Sequence, residues 1–183
     1  MLLILAVISF GLLIWQISNL VSVFYGSPYV MANKEIIREA LKLAKLKKGE
    51  TFYDLGCGRG DVLIEAAKIG VKAIGYEISP FYYLYAKTRV AILKLTPLKR
   101  SSGKGGLIHT RIIIRYSDIN NTDLPKADIV YCYLLPELLD KLNQKFLKEL
   151  KKGSRLISVG FPIKNLSGAA HSIAGHKIYI YNI

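Results

Sequence analysis

The first 33 residues contain no Asp, Glu, Lys or Arg, which excludes a charged, solvated helix face from that part of the chain. Acidic residues are scarce overall, 13 against 26 Lys and Arg in 183 residues, a formal net charge of +13. Cysteine is nearly absent: Cys57 and Cys132 stand alone, without paired metal-ligand spacing, so neither a disulfide framework nor a zinc ribbon is expected. His109, His171 and His176 show no ligand spacing either, and no metal site is assigned. No internal repeat or low-complexity tract breaks the chain, which excludes a solenoid and leaves room for one globular domain with an appendage.

The stretch from Leu2 to Phe24 is dominated by Leu, Ile, Val, Phe and Trp, with Ser9, Gln16, Ser18 and Asn19 as mild interruptions. A helix of ~20 mostly apolar residues spans a bilayer core. A cleaved signal peptide needs a basic start, a shorter apolar core and a small-residue cleavage site, and none is present; the other alternative, a buried core helix, rarely runs so long without a charged face. The expected organisation is a transmembrane anchor over residues 1–25, a linker over 26–32 broken by Gly26, Ser27 and Pro28, and one domain over 33–183. Basic residues begin at Lys34, so the positive-inside tendency places that domain in the cytoplasm, in a single-pass arrangement with the N-terminus outside. The basic excess suits anionic lipid, nucleic acid or an acidic protein; a tether favours the lipid bilayer, at ~1 kcal/mol per basic group near the surface. A solvated basic surface without a specific partner is the plain alternative.

Beyond the linker, strands and helices alternate. Asn33 caps a helix whose Ile36, Ile37, Ala40, Leu41 and Ala44 share a face, closed by Lys47-Lys48-Gly49. Thr51 to Leu55 reads as strand 1, Val62 to Ile69 as a helix stopped by Gly70, Lys72 to Ile78 as strand 2, and Pro80 opens a helix capped by Ser79. Arg111 to Tyr116 and Asp128 to Tyr133 are strands 3 and 4, Glu137 to Leu150 is an amphipathic helix, Arg155 to Phe161 is strand 5 and Lys177 to Asn182 a last strand. Segments 96–110 and 165–175 read as exposed loops. The pattern predicts an α/β fold, Rossmann-like, with a mostly parallel sheet and helices on both faces, preceded by one N-terminal transmembrane helix.

The chemistry-bearing segment is Asp54-Leu55-Gly56-Cys57-Gly58-Arg59-Gly60-Asp61, an apolar strand running through an acid into alternating glycines and a helix. Such a loop turns tightly and brings backbone close to a cofactor. The dinucleotide fingerprint needs a third Gly or Ala where Asp61 stands, so a nicotinamide cofactor is disfavoured. Glu77, at the end of strand 2 with Ile78 beside it, is placed to accept hydrogen bonds from ribose hydroxyls. The motif D-x-G-x-G-x-G resembles class I S-adenosylmethionine-dependent methyltransferases from strand 1 through strand 5. That resemblance implies S-adenosyl-L-methionine as cofactor, with Asp54 orienting its methionine end, the backbone of Gly56, Cys57 and Gly58 beside it, and Asp118 and Ile119 at the adenine. A capping or turn role is the plain reading of Asp118.

At the end of strand 4 the chain reads Tyr133-Leu134-Leu135-Pro136-Glu137, where many nucleic-acid amine methyltransferases carry Asn or Asp, Pro-Pro and an aromatic residue. Nucleic acid is therefore disfavoured as acceptor. Gly26-Ser27-Pro28-Tyr29-Val30 after an apolar helix, Asp54-Leu55-Gly56, Tyr133 to Glu137 and Leu150 to Ser158 together resemble the membrane-anchored protein-lysine methyltransferases of adenine nucleotide translocase and the ATP synthase c subunit. Met31-Ala32-Asn33 and Gly58-Arg59-Gly60-Asp61 depart from that family's Pro-Thr-Pro and Gly-Asp-Gly-Arg. The resemblance implies N-methylation of a lysine on a membrane protein. Tyr133 is the catalytic candidate, lining the acceptor site, with packing at a strand end as its plain alternative; Glu137 is a candidate for a cationic substrate. A lipid or small hydrophobic amine as acceptor, and a non-catalytic cofactor-binding scaffold, are the competing readings. Composition and motifs do not assign an oligomeric state.

Overall fold

The computed structural model describes residues 1–24, 33–95 and 111–183. Its helices are α1 (Leu2–Phe24), α2 (Lys34–Leu43), α3 (Asp61–Ile69), α4 (Pro80–Leu95) and α5 (Pro136–Glu149). The strands are β1 (Thr51–Leu55), β2 (Lys72–Glu77), β3 (Ile112–Tyr116), β4 (Ile129–Cys132), β5 (Arg155–Val159), β6 (Gly168–Ile173) and β7 (His176–Asn182). They form one sheet in the order β3-β2-β1-β4-β5-β7-β6. The first five strands in that order are parallel, and β7 and then β6 pair antiparallel at the far edge.

Local chemistry fixes these elements. Asn33 accepts the Glu35 backbone N–H at 2.9 Å and starts α2, whose Ile36, Ile37, Ala40 and Leu41 are buried at helical spacing. Gly70, at φ 97°, stops α3 in the left-handed region that side chains avoid. Because successive residues of a strand point to opposite faces, β1 splits its side chains: Phe52 faces the layer of α2 and α3, whereas Tyr53 and Leu55 face Leu138, Leu139, Leu142 and Phe146 of α5. Burial on both sides makes the central strands apolar throughout, as a covered parallel sheet requires.

Segment 165–175, expected as a loop, instead contains β6, paired from Gly168↔Tyr181 to Ile173↔His176. The run Gly-Ala-Ala-His-Ser lacks the apolar alternation of a strand because β6 is a largely exposed edge. Gly168 also has to lie flat on its neighbour, since a Cβ there would come 2.5 Å from the Ile180 carbonyl oxygen. The loop expected over 96–110 and the linker over 26–32 fall outside the described residues.

The transmembrane anchor is corrected. Among the described residues no helix is long and apolar enough to cross a membrane, and the single-pass placement with a cytoplasmic domain falls with it. The C-terminal part of α1 rests on α4: Ser18 is buried, and its Oγ accepts the Phe81 backbone N–H at 2.9 Å.

Candidate functional site

The C-terminal edge of the parallel strands gathers the chemistry. After β1 the chain turns through Gly56 and Gly58, at φ 77° and 50°, conformations that favour glycine. The Gly56 and Cys57 N–H groups both donate to the Tyr76 carbonyl, at 2.9 and 3.0 Å, which ties the loop to the end of β2. Below it, Gly75 leaves the space Cys57 needs: a Cβ at Gly75 would lie 2.7 Å from Cys57 Sγ and 2.4 Å from Leu63 Cδ1. The loop therefore sits low on the sheet, and α3 starts directly from it.

Glu77 is the hub. Its Oε2 accepts the Gly58 N–H at 2.7 Å and its Oε1 accepts the Ser79 N–H at 2.8 Å. One buried carboxylate thus joins the glycine loop to the start of α4. Burial raises its pKa, opposed by the N–H groups of Ser79, Gly58 and Ile78, so these donors hold a charge that the interior disfavours. Two acceptor oxygens offer about four lone-pair sites, more than these backbone donors fill, which leaves acceptor capacity for a ligand.

A narrow cleft brings together Gly56, Glu77, Ile78, Asp118 and Ile119, all cofactor candidates from the sequence, and adds Asn120 and Leu138. Asp118 also does what a turn Asp does: its Oδ1 accepts the Asn120 backbone N–H at 2.9 Å and Asn120 Nδ2 at 2.8 Å, capping a short 3-10 turn over Ile119–Asn121. Ile119 is buried behind it. A separate hollow of about 410 Å³ runs along α4, lined by Phe81, Leu84, Tyr85, Thr88, Arg89, Ile92 and Leu93. It shares no residue with the cleft and carries almost no polar chemistry.

Asp54 and Cys57 lie beneath the loop rather than in the cleft. Asp54 is fully enclosed, and burial pushes its carboxyl well above the ordinary value, reinforced by the negative charges of Glu77 and Asp61. The Cys57 thiol is likewise pushed up by burial, then by Asp54 and Glu77, so it stays protonated near neutrality and is no nucleophile. Tyr133 follows β4 on the Asp54 face of the sheet, partly exposed against Gly160, where a Cβ would come 3.2 Å from Tyr133 Cε2. It does not line the cleft, and Glu137 is exposed at the start of α5.

Sequence reasoning missed Arg89. Its Nη1 donates to the Arg59 carbonyl at 3.0 Å and to Asp61 Oδ1 at 2.7 Å, so α4 grips the loop a second time. Arg59 in turn lies over the Tyr85 ring, 5.0 Å from its centroid. The available signal was the departure at Gly58-Arg59-Gly60-Asp61, which calls for a cation opposite Asp61. Tyr131 was also missed, because a tyrosine inside a strand reads as core.

The profile of the ANTKMT methyltransferase domain matches residues 54–170. A protein-lysine N-methyltransferase of Saccharolobus islandicus (strain REY15A) is 31% identical over 163 residues, covering 85% of this chain and 93% of that protein. The lysine N-methyltransferase of the ATP synthase c subunit from Xenopus laevis is 29% identical over 138 residues, 75% of this chain; the match spans only 55% of that longer relative. Among solved structures, an RNA methyltransferase from Salinibacter ruber in complex with S-adenosyl-L-homocysteine superposes with a TM-score of 0.73 at 24% identity, covering 84% of this chain and 94% of that one. The last likeness is one of fold.

Proposed function

The chain belongs to the family of the ANTKMT methyltransferase domain, and on that footing we propose that it methylates the side-chain amine of a lysine on a membrane-associated protein, using S-adenosylmethionine. Methyl transfer is the family's reaction; the lysine acceptor is supported by relatives named for it. The membrane-associated acceptor is supported by the relative named for the ATP synthase c subunit and by the row of exposed apolar side chains on α1. The observation that carries the reading is the Glu77 carboxylate, fastened to Gly58 and Ser79 at the floor of a cleft that also holds Gly56, Asp118 and Ile119.

The residues present fit the cofactor. Glu77 offers acceptors to the ribose hydroxyls, Ile78 and Ile119 apolar surface to the adenine, and Asp118 an acceptor to its amine. The loop of Gly56, Cys57 and Gly58 gives close backbone approach, and Asp54 beneath it keeps one buried oxygen, Oδ2, without a protein partner, as a residue awaiting the methionine end would. S-adenosylmethionine supplies an electrophilic methyl group on a sulfonium.

The protein's part is alignment and proton control. A free lysine amine, with pKa ~10.4, is well under ~1% neutral at pH 7, so the site must favour the neutral form by burial beside positive charge. Tyr133, beyond the end of β4, lines the acceptor side and takes or relays a hydrogen bond from the amine. Ordering acceptor and methyl on one line supplies most of the acceleration.

The test combines isothermal titration with S-adenosylmethionine and labelling of membranes with methyl-labelled cofactor. Binding that Glu77→Ala weakens at least about 10-fold, and label in protein lysines, are the expected results. Label confined to lipid would overturn the lysine acceptor, and absence of binding by the folded protein would overturn the cofactor assignment. Tyr133→Phe should lower kcat while leaving cofactor affinity within about 2-fold.

A further inference from the structure

Two fully buried polar atoms on adjacent strands lack any protein partner: Asp54 Oδ2 and the Tyr131 hydroxyl. They are cross-strand neighbours, Asp54 on β1 opposite Tyr131 on β4. In-register neighbours project to the same face, and each is only 1–2% exposed. The row continues to Gly75 on β2, whose missing side chain opens space on that face for Cys57 and the glycine loop. An unpaired hydroxyl and an unpaired carboxylate oxygen in the same buried row are each costly, and native interiors leave few such groups unexplained.

We propose that Tyr131 and Asp54 together form the polar subsite that holds the amino-acid end of S-adenosylmethionine, with Tyr131 a cofactor-positioning residue in addition to the acid. The inference rests on the cofactor reading above and deepens it. The chemistry recognised is an ammonium: the carboxylate accepts one N–H and neutralises the charge, and the phenol oxygen accepts a second. The phenol is held protonated by burial, and after that by the charge of Asp54, so it remains a neutral acceptor and adds no second negative charge. Phe52, its ring centroid 6.3 Å from that of Tyr131 at 44°, packs against the ring and keeps it in the row. The apolar interior offers the hydroxyl no other partner, which is what an idle packing tyrosine would have found.

The test is Tyr131→Phe, which keeps the ring and removes the one oxygen. Binding of S-adenosylhomocysteine, which has the amino-acid end, and of methylthioadenosine, which lacks it, is measured by titration alongside the ligand-free Tm. The expected result is about 10-fold weaker S-adenosylhomocysteine binding, methylthioadenosine binding within about 2-fold of wild type, and a ligand-free Tm that is unchanged or raised. Equal binding of S-adenosylhomocysteine by variant and wild type overturns the proposal, as does an equal loss for both ligands. A fallen Tm marks a structural role instead and also overturns it. If wild type binds neither ligand, the cofactor reading fails before this one is reached.

Discussion

Arg89 Nη1 lies 2.7 Å from Asp61 Oδ1, joining the middle of α4 to the first residue of α3. Together with Glu77, which ties Gly58 to Ser79 at the start of α4, it closes a frame around the glycine loop. Both ends of that frame belong to α4, so the helix after β2 sets the loop's height over the cleft. Removing the cation should therefore act on cofactor affinity. Arg89→Met is expected to raise KM for S-adenosylmethionine about 5-fold, equivalent to about 1 kcal/mol, with kcat at saturation within about 2-fold. The reversed pair Asp61→Arg with Arg89→Asp should recover part of the loss, and failure of every exchange to move KM would show that the ion pair does not hold the loop for the cofactor.

Gly75→Ala tests the close approach under the loop. The added Cβ meets Leu63 Cδ1 at 2.4 Å and the Cys57 side chain at 2.7–2.8 Å, both buried, so these side chains have to shift. Overpacking of this kind costs about 1–3 kcal/mol, so chemical denaturation should show that loss with an unchanged m-value. A variant as stable as wild type would show that the loop is not seated where the structure puts it.

The buried acid predicts a pH dependence with a definite sign. The folded Asp54 carboxyl is raised, by burial first and then by Glu77 and Asp61. At low pH both folded and unfolded forms carry the proton and Asp54 contributes nothing; as pH rises through the unfolded value of ~3.9, only the unfolded form ionises readily. Stability is lost upward from there until the folded carboxyl ionises as well. Asp54→Asn cannot ionise, so the ligand-free variant should gain Tm over wild type near neutral pH, and the gain should shrink toward pH ~4. A difference independent of pH would contradict the burial argument. The same variant should bind S-adenosylmethionine more weakly.

In the β6–β7 hairpin, Ala174 sits at φ 48° next to Gly175 at φ 80°. A Cβ in the left-handed region costs about 1 kcal/mol. Ala174→Gly should relieve it and stabilise the protein by up to about 1 kcal/mol, read as a higher denaturation midpoint; destabilisation would mean the turn is differently built.

How far the sequence already spoke depends on what each signal measures. Central strands were legible because burial on both faces makes them uniformly apolar, and Thr51 to Leu55 was read at its observed bounds. Gly70, Asn33 and Pro80 marked helix ends through backbone rules that hold without tertiary context. β6 was not legible, since an exposed edge pairing through backbone alone needs no apolar alternation. The apolar run at the N-terminus was read by length and hydropathy; Ser18 meeting Phe81 is a tertiary contact that neither quantity contains. At the site, Glu77, Asp118 and the glycines stood out as cofactor candidates because they lie at or just beyond strand ends in a known pattern. Arg89 and Tyr131 were hidden, the first a cation among many in a basic chain, the second a core-like aromatic whose unpaired hydroxyl only a structure reveals.

Methyl transfer to a lysine amine, from a cofactor held by Glu77, is best checked by locating the methyl group itself. Purified protein and a membrane fraction are incubated with methyl-labelled S-adenosylmethionine, and the label is then placed by mass spectrometry for wild type and for Glu77→Ala. Label is expected on a lysine Nζ of a membrane-associated protein, abolished or strongly reduced by Glu77→Ala. Label on another atom class, or on lysine undiminished in the Glu77→Ala variant, would refute that assignment.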